Sequence, residues 1–308
     1  MKEKIRCSIG IIQSNKAEEL YIQRIKEPYL GYFEFPGGKI KEGESPKSAL
    51  IREFKEELSV SVKKVNFVGK VFQNYPEFEI ILYVFFINTF EGKIINSKRK
   101  LCYKHSNDLE RGFKAIRSCM KVLKLTRLSP NIGISSYDRN PFDNSYKSQK
   151  AEIIKSYKMM RFRDLDQASP AQLKLITRFT KSNSNHYIID HPFEELFNGT
   201  YAGIHYKSKY LYTLKSIPDN LIVYSGSCHS LEEVEHANRL NLDYIIISPV
   251  KLAKHKNQEI LGWDGFKKLT SKARMPTYAL GGMNPMSNDY DTVKKYGGFG
   301  IAGIKKFW

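Results

Sequence analysis

The sequence predicts an α/β protein of two unlike domains, and three observations carry that reading. The chain has 308 residues, more than one ordinary domain holds. Residues 129–150, rich in Ser, Asn, Pro and Gly, interrupt its apolar patterning as a linker does. Beyond them, short β-branched runs alternate with amphipathic helical ones, the pattern of a parallel sheet wound into a TIM-type (β/α)8 barrel, complete or degenerate.

The first domain, residues 1–128, opens with a strand at Cys7–Ile12 and a hairpin partner at Leu20–Arg24. The run Phe33 to Lys39, FEFPGGK, then leads into a helix. Ser45 suits the N-cap of that helix and Pro46 its first turn. Leu50, Phe54 and Leu58 recur every four residues and form an apolar stripe. Glu53, Glu56 and Glu57 stand at i, i+3 and i+4 on another face, so one side packs while the other stays open. Like charges at that spacing repel by roughly 0.2–0.5 kcal/mol per pair. A solvated acidic face is the ordinary meaning of such a cluster. Here Arg52 precedes the glutamates, and Gly37 and Gly38 allow close backbone approach to a metal or phosphate. Oxygen-only ligands favour a hard dication, Mg2+ or Mn2+.

The stretch from Gly38 to Val60 resembles the signature of the Nudix hydrolases, G-x5-E-x7-R-E-U-x-E-E-x-G-U, with U a bulky apolar residue. Gly38, Glu44, Arg52, Glu53, Phe54, Glu56, Glu57 and Val60 fill it. Ser59 stands where glycine is usual, at the helix C-terminus, and should cost stability more than chemistry. The resemblance implies an α/β/α sandwich with a mixed sheet and a metal-assisted attack of water on a nucleoside diphosphate compound. It makes Glu53, Glu56 and Arg52 the catalytic residues, with Arg52 orienting the glutamates. Metal would be held by Glu53, Glu56, Glu57 and the carbonyl of Gly37. Arg24, Glu34, Phe35, Gly38 and Lys39 would meet the substrate. The flanking strands look most like the MutT branch, which clears oxidised guanine nucleotides. That implies 8-oxo-dGTP as substrate, with a monophosphate and pyrophosphate as products, a nucleotide-pool role in DNA repair. Two departures touch selectivity. Ile116 occupies the position of the asparagine that reads the purine edge, and the loop Asn96 to Lys100 has no acid. Losing a buried hydrogen-bonding reader changes discrimination by orders of magnitude.

In the second domain, residues 151–308, strands are expected at 157–161, 186–190, 221–225, 243–250, 277–282 and 298–304. Helices fall at 169–181, 230–241, 263–273 and 288–296. Gly281, Gly282 and Gly303 end the last two strands, where such barrels hold phosphate. This half resembles thiamine phosphate synthase and its relative TenI. The residues that carry the likeness include Arg161 to Asp164, Gly203-Ile204-His205, Ser227 to Ser230, Ser248-Pro249-Val250, Lys256 and Gly300 to Ala302. Several family contacts are missing. Ile189-Asp190 keeps one acid of a pair, Lys207 to Tyr210 lacks the metal-binding acid, Ala253 replaces threonine, and Pro249 stands where tautomerases carry histidine. The barrel therefore reads as a non-catalytic relic with a retained phosphate site, and His205 and His229 as packing or hydrogen-bonding residues. Two other readings stay open: a thiamine-phosphate enzyme with an accessory N-terminal half, and a binding protein in which neither half catalyses.

Net charge is +18, and residues 93–181 alone carry 21 Lys or Arg against 7 Asp or Glu. The charges are dispersed and no nucleic-acid module accompanies them, so they read as surface positions that default to lysine and direct DNA or RNA binding is not expected; the nucleotide partner is what the Nudix resemblance implies. No run approaches a membrane span. Cys7, Cys102, Cys119 and Cys228 form no close pair, which fits a reducing cytoplasm. The oligomeric state is left open.

Overall fold

The computed structural model describes residues 2–96, 98–135, 158–182, 187–252 and 259–307. It divides into two compact units, Met1–Thr126 and Arg127–Trp308.

The first unit holds a mixed four-stranded sheet in the order β4-β1-β6-β5. Its strands are β1 (Glu3–Ile11), β4 (Gly37–Lys39), β5 (Ser61–Asn74) and β6 (Phe78–Glu91). β1 runs parallel to β6 and antiparallel to β4. The period of two along β1 gives each side of the sheet its own partner. Gly10 faces Phe54 of helix α1 (Pro46–Leu58), while Ile5, Cys7 and Ile9 line a cavity shared with Cys119 and Val122 of helix α2 (Arg117–Arg127). Leu50, Phe54 and Leu58 are fully buried against Ile12, Leu20, Ile22, Val62, Phe85 and Ile87. This is the expected helix–sheet–helix sandwich.

The expected hairpin is corrected. β2 (Glu19–Gln23) leaves β1 after a single bridge, Gln13 to Glu19, and enters a second sheet, β3-β2-β7, with β3 (Phe33–Glu34) and β7 (Leu101–Lys104). The partner that β1 takes instead is β4, because Gly37 allows a backbone approach that a Cβ would block at 2.1 Å from the Ser8 carbonyl.

The second unit is a closed barrel of eight parallel strands. They are β8 (Asn131–Ile134), β9 (Met160–Phe162), β10 (Tyr187–Asp190), β11 (Gly203–Tyr206), β12 (Val223–Cys228), β13 (Tyr244–Ile247), β14 (Thr277–Leu280) and β15 (Gly300–Gly303). Helices α3 (Pro170–Ser182), α5 (Leu231–Leu240), α6 (Gly262–Thr270) and α7 (Asp289–Lys295) supply crossovers. Two crossovers are abbreviated: α4 (Ser208–Leu211) has four residues, and the link from β10 to β11 carries only a 3-10 turn at Glu194–Phe197. Part of the expected linker is structural. Asn131–Ile134 closes the barrel against β15, a role disguised by the preceding Pro130 and the Gly133 within it. Residues 136–150 of that linker, together with Tyr157, His186, Ala253 and Lys256, lie outside the described residues.

Candidate functional site

Helix α1 is capped as its sequence requires. The Ser45 side chain accepts the Ser48 N–H, and Pro46 fills the first turn. The helix ends at Ser59 in the left-handed region, φ 59° and ψ 23°, the conformation that favours glycine. Glu53 and Glu57 flank the buried stripe and are themselves largely buried.

Arg52 organises this face. Its Nε and one terminal nitrogen each donate to Glu44 at 2.9 Å, the other nitrogen donates to Glu53 at 2.6 Å and Glu56 at 3.3 Å, and the Lys39 carbonyl accepts at 3.0 Å. This guanidinium holds the Glu44 carboxyl down at about 2, well below its usual range. Glu53 and Glu57 both lie against the Gly37-Gly38 dipeptide. A Cβ on Gly38 would sit 2.4 Å from the Glu53 carboxyl carbon, and the Gly37 N–H donates to Glu57 at 3.1 Å. Burial pushes the Glu57 carboxyl up to about 7, against the pull of Arg99 and the Gly37 N–H.

Glu56 is not drawn in with them; its side chain is 55% exposed beyond Arg52. Accordingly, no three acidic, histidine or cysteine side chains form a metal cage among the described residues. The donor set still fits a hard dication. Two carboxylates one helical turn apart meet a backbone stripped of Cβ atoms, and burial raises the Glu57 carboxyl despite its pairing with Arg99.

Beside the glycines opens a cavity of about 340 Å³, lined by Arg24, Glu34, Phe35, Gly38 and Lys39. All five expected substrate residues thus line one cavity. Arg24 is paired to Glu34 and donates to the Pro28 carbonyl at 3.1 Å. Phe35 is buried and packs on Tyr21 at 4.7 Å. Ile116 lines the same cavity, beside Ser118 and Cys119. The position expected to read a base is therefore apolar and lines the cavity. Sequence reasoning missed Arg99, which ties Glu57 to Glu34. The loop lacks an acid, and its Lys98-Arg99-Lys100 run is the signal that could have found Arg99.

In the barrel, Asp190, His205, Ser225 and Tyr244 stand side by side across four strands. Arg161 donates to Asp190 at 2.6 and 3.0 Å, both groups buried. His205 bonds Ser225 at 2.9 Å and Ser227 at 2.8 Å. Burial, with Arg161 and Lys207 nearby, holds it well below its usual pKa, as a neutral ring. His229 donates through Nδ1 to the Ser248 carbonyl at 2.6 Å. Gly281 and Gly282 have φ of 108° and 71°. Gly303 has a steric reason: a Cβ would meet the Phe307 ring at 2.3 Å.

A family model described as NUDIX domain matches residues 4–110, and one described as Thiamine monophosphate synthase matches residues 148–307. The "8-oxo-dGTP diphosphatase" of Proteus vulgaris is 30% identical over 98 residues, covering 32% of this chain and 88% of that protein. The "Putative thiamine-phosphate synthase 2" of Aquifex aeolicus (strain VF5) is 27% identical over 180 residues, covering 55% of this chain and 94% of its own. Among solved structures, the MutT NUDIX hydrolase of Burkholderia pseudomallei is 20% identical, with a TM-score of 0.32 over 34% of this chain and 86% of its own.

Proposed function

The chain carries a NUDIX domain over residues 4–110 and belongs, over residues 148–307, to the thiamine monophosphate synthase family, and from that premise we propose a Mg2+-dependent pyrophosphohydrolase that splits 8-oxo-dGTP into monophosphate and pyrophosphate. The observation that carries this is the apposition of Glu53 and Glu57 to Gly37-Gly38 at the rim of the cavity. Glu53, Glu56 and Glu57 would hold the dication with the Gly37 carbonyl. When bound, the dication would polarise phosphoryl oxygens and make hydroxide available near neutral pH. Arg52 holds Glu53 and Glu44 through three hydrogen bonds and adds one each to Glu56 and the Lys39 carbonyl, so the carboxylates would be set before substrate arrives. Arg24 and Lys39 offer positive charge to the phosphates, and the apolar wall with Phe35 and Ile116 receives the base. Such an enzyme would remove damaged nucleotides before they enter DNA. The four cysteines are free, which supports a cytoplasmic setting. No helix among the described residues is long and apolar enough to cross a membrane.

Pyrophosphate release with Mg2+ across 8-oxo-dGTP, dGTP and the other nucleotides tests the reading. Preference for 8-oxo-dGTP supports it; equal turnover of all removes the substrate assignment and leaves the hydrolase. Glu53→Gln should cut turnover by more than about a hundredfold while leaving the fold intact. Unchanged turnover would sink the hydrolase.

A second reading is favoured by the family match over the barrel: a thiamine-phosphate synthase activity in residues 148–307. In the run Lys207 to Tyr210, Tyr210 stands at the position of that family's metal-binding acid, so synthesis would proceed without that ligand. Thiamine phosphate formation by the Glu53→Gln chain, at the unsubstituted rate, would establish it.

A further inference from the structure

Arg99 is placed with more care than a surface arginine. Its side chain is 14% exposed. Nε donates to the Gln23 carbonyl at 2.8 Å, one terminal nitrogen donates to Glu34 Oε1 at 2.7 Å, and the other pairs with Glu57 Oε1. The loop beneath is buckled to the same helix. Asn96 Oδ1 accepts the Arg99 N–H at 2.7 Å, and Asn96 Nδ2 donates to the Glu57 carbonyl at 2.7 Å. One segment thus grips Glu57 twice, at its backbone and at its carboxylate. Glu57 Oε2 is taken by the Gly37 N–H at 3.1 Å, so both its oxygens are engaged. Glu34 is likewise held on both oxygens, by Arg99 and Arg24.

Resting on the hydrolase reading, we infer that Arg99 is a resident cation of the site: its guanidinium fills, between Glu57 and Glu34, a position that a second divalent ion would otherwise take. A guanidinium supplies permanent charge and a planar fork that matches two carboxylates. It accepts no ligand and activates no water, so that chemistry falls to the ion held around Glu53. Its contacts with Glu57 and Glu34 also set a positive charge against a second dication seeking that pair of carboxylates. Arg99 is here a positioning residue that decides how many ions the site holds.

The test is Mn2+ uptake by the metal-stripped full chain without nucleotide, counted from the free-ion signal in electron paramagnetic resonance. The native chain should take up one Mn2+ that Glu53→Gln abolishes. Arg99→Gln should take up one more per chain, and Arg99→Lys, which keeps the charge, should return to the native count. Two Glu53-dependent ions in the native chain would overturn the inference, whether or not the variants fold. So would a folded Arg99→Gln with an unchanged count, or a gain shared equally by Arg99→Lys. If no bound Mn2+ depends on Glu53, the hydrolase reading itself falls and this inference with it.

Discussion

Two single-residue changes separate stability from chemistry in α1. Ser59 ends the helix at φ 59°, where a Cβ strains against the backbone. Ser59→Gly should raise stability by about 0.5–1 kcal/mol, read as a higher urea midpoint with turnover unchanged. Gly38 is the converse. It has ordinary backbone angles, but a Cβ there would lie 2.4 Å from the Glu53 carboxyl carbon. Because that obstacle is the mobile end of a side chain, Gly38→Ala should fold normally and displace the carboxylate. Turnover should fall about a hundredfold with little change in the thermal midpoint; native turnover would show that Glu53 has no fixed station. Both residues were legible in sequence, because a spaced motif names its glycines and acids directly. Arg99 was not. A basic residue in a polar loop ordinarily points to water, and only the Asn96 anchor, 39 positions from Glu57 in sequence, reveals otherwise.

Among elements, legibility followed length and period. α1 was readable to its cap because 13 residues repeat an apolar stripe behind a Ser-Pro start. β13 was readable from its unbroken YIII run. β8 and β11 were not: each has four residues, includes glycine, and lacks a β-branched run. Their strand identity is imposed by neighbours in the barrel, a tertiary cause with little local trace. The hairpin expectation failed for a related reason, since pairing of β1 is decided by Gly37, distant in sequence. β9 and β10 are joined by more than their ladder. Arg161 and Asp190 are 4% and 0% exposed and bonded at 2.6 Å. Asp190→Ala would leave a guanidinium buried without its partner. It should destabilise the second unit by about 3–5 kcal/mol, seen as an early transition in calorimetry; a shift below about 1 kcal/mol would mean that water or Asp164 replaces the lost acid.

Across the whole molecule, all four cysteines lie where thiolate is disfavoured. Burial raises each thiol, that of Cys7 to about 12, although Cys7 lines the cavity. Native protein at pH 8 should therefore resist iodoacetamide, while unfolded protein is alkylated fully; mass spectrometry reports the difference. Rapid labelling of Cys7 would mean that the cavity admits solvent freely.

The closure of the barrel sets a timetable. Every ladder of the first unit joins residues 3–104, so its sheets are complete once that length has been synthesised. β8 has β15 as one of its two neighbours, and these lie at opposite ends of the second unit, at Asn131–Ile134 and Gly300–Gly303. Until the ribosome has delivered Gly303, β8 waits with one edge open, and that pairing is among the slow, non-local kind. The first unit can thus complete its sheets during translation, while the barrel can close only after Gly303 has emerged.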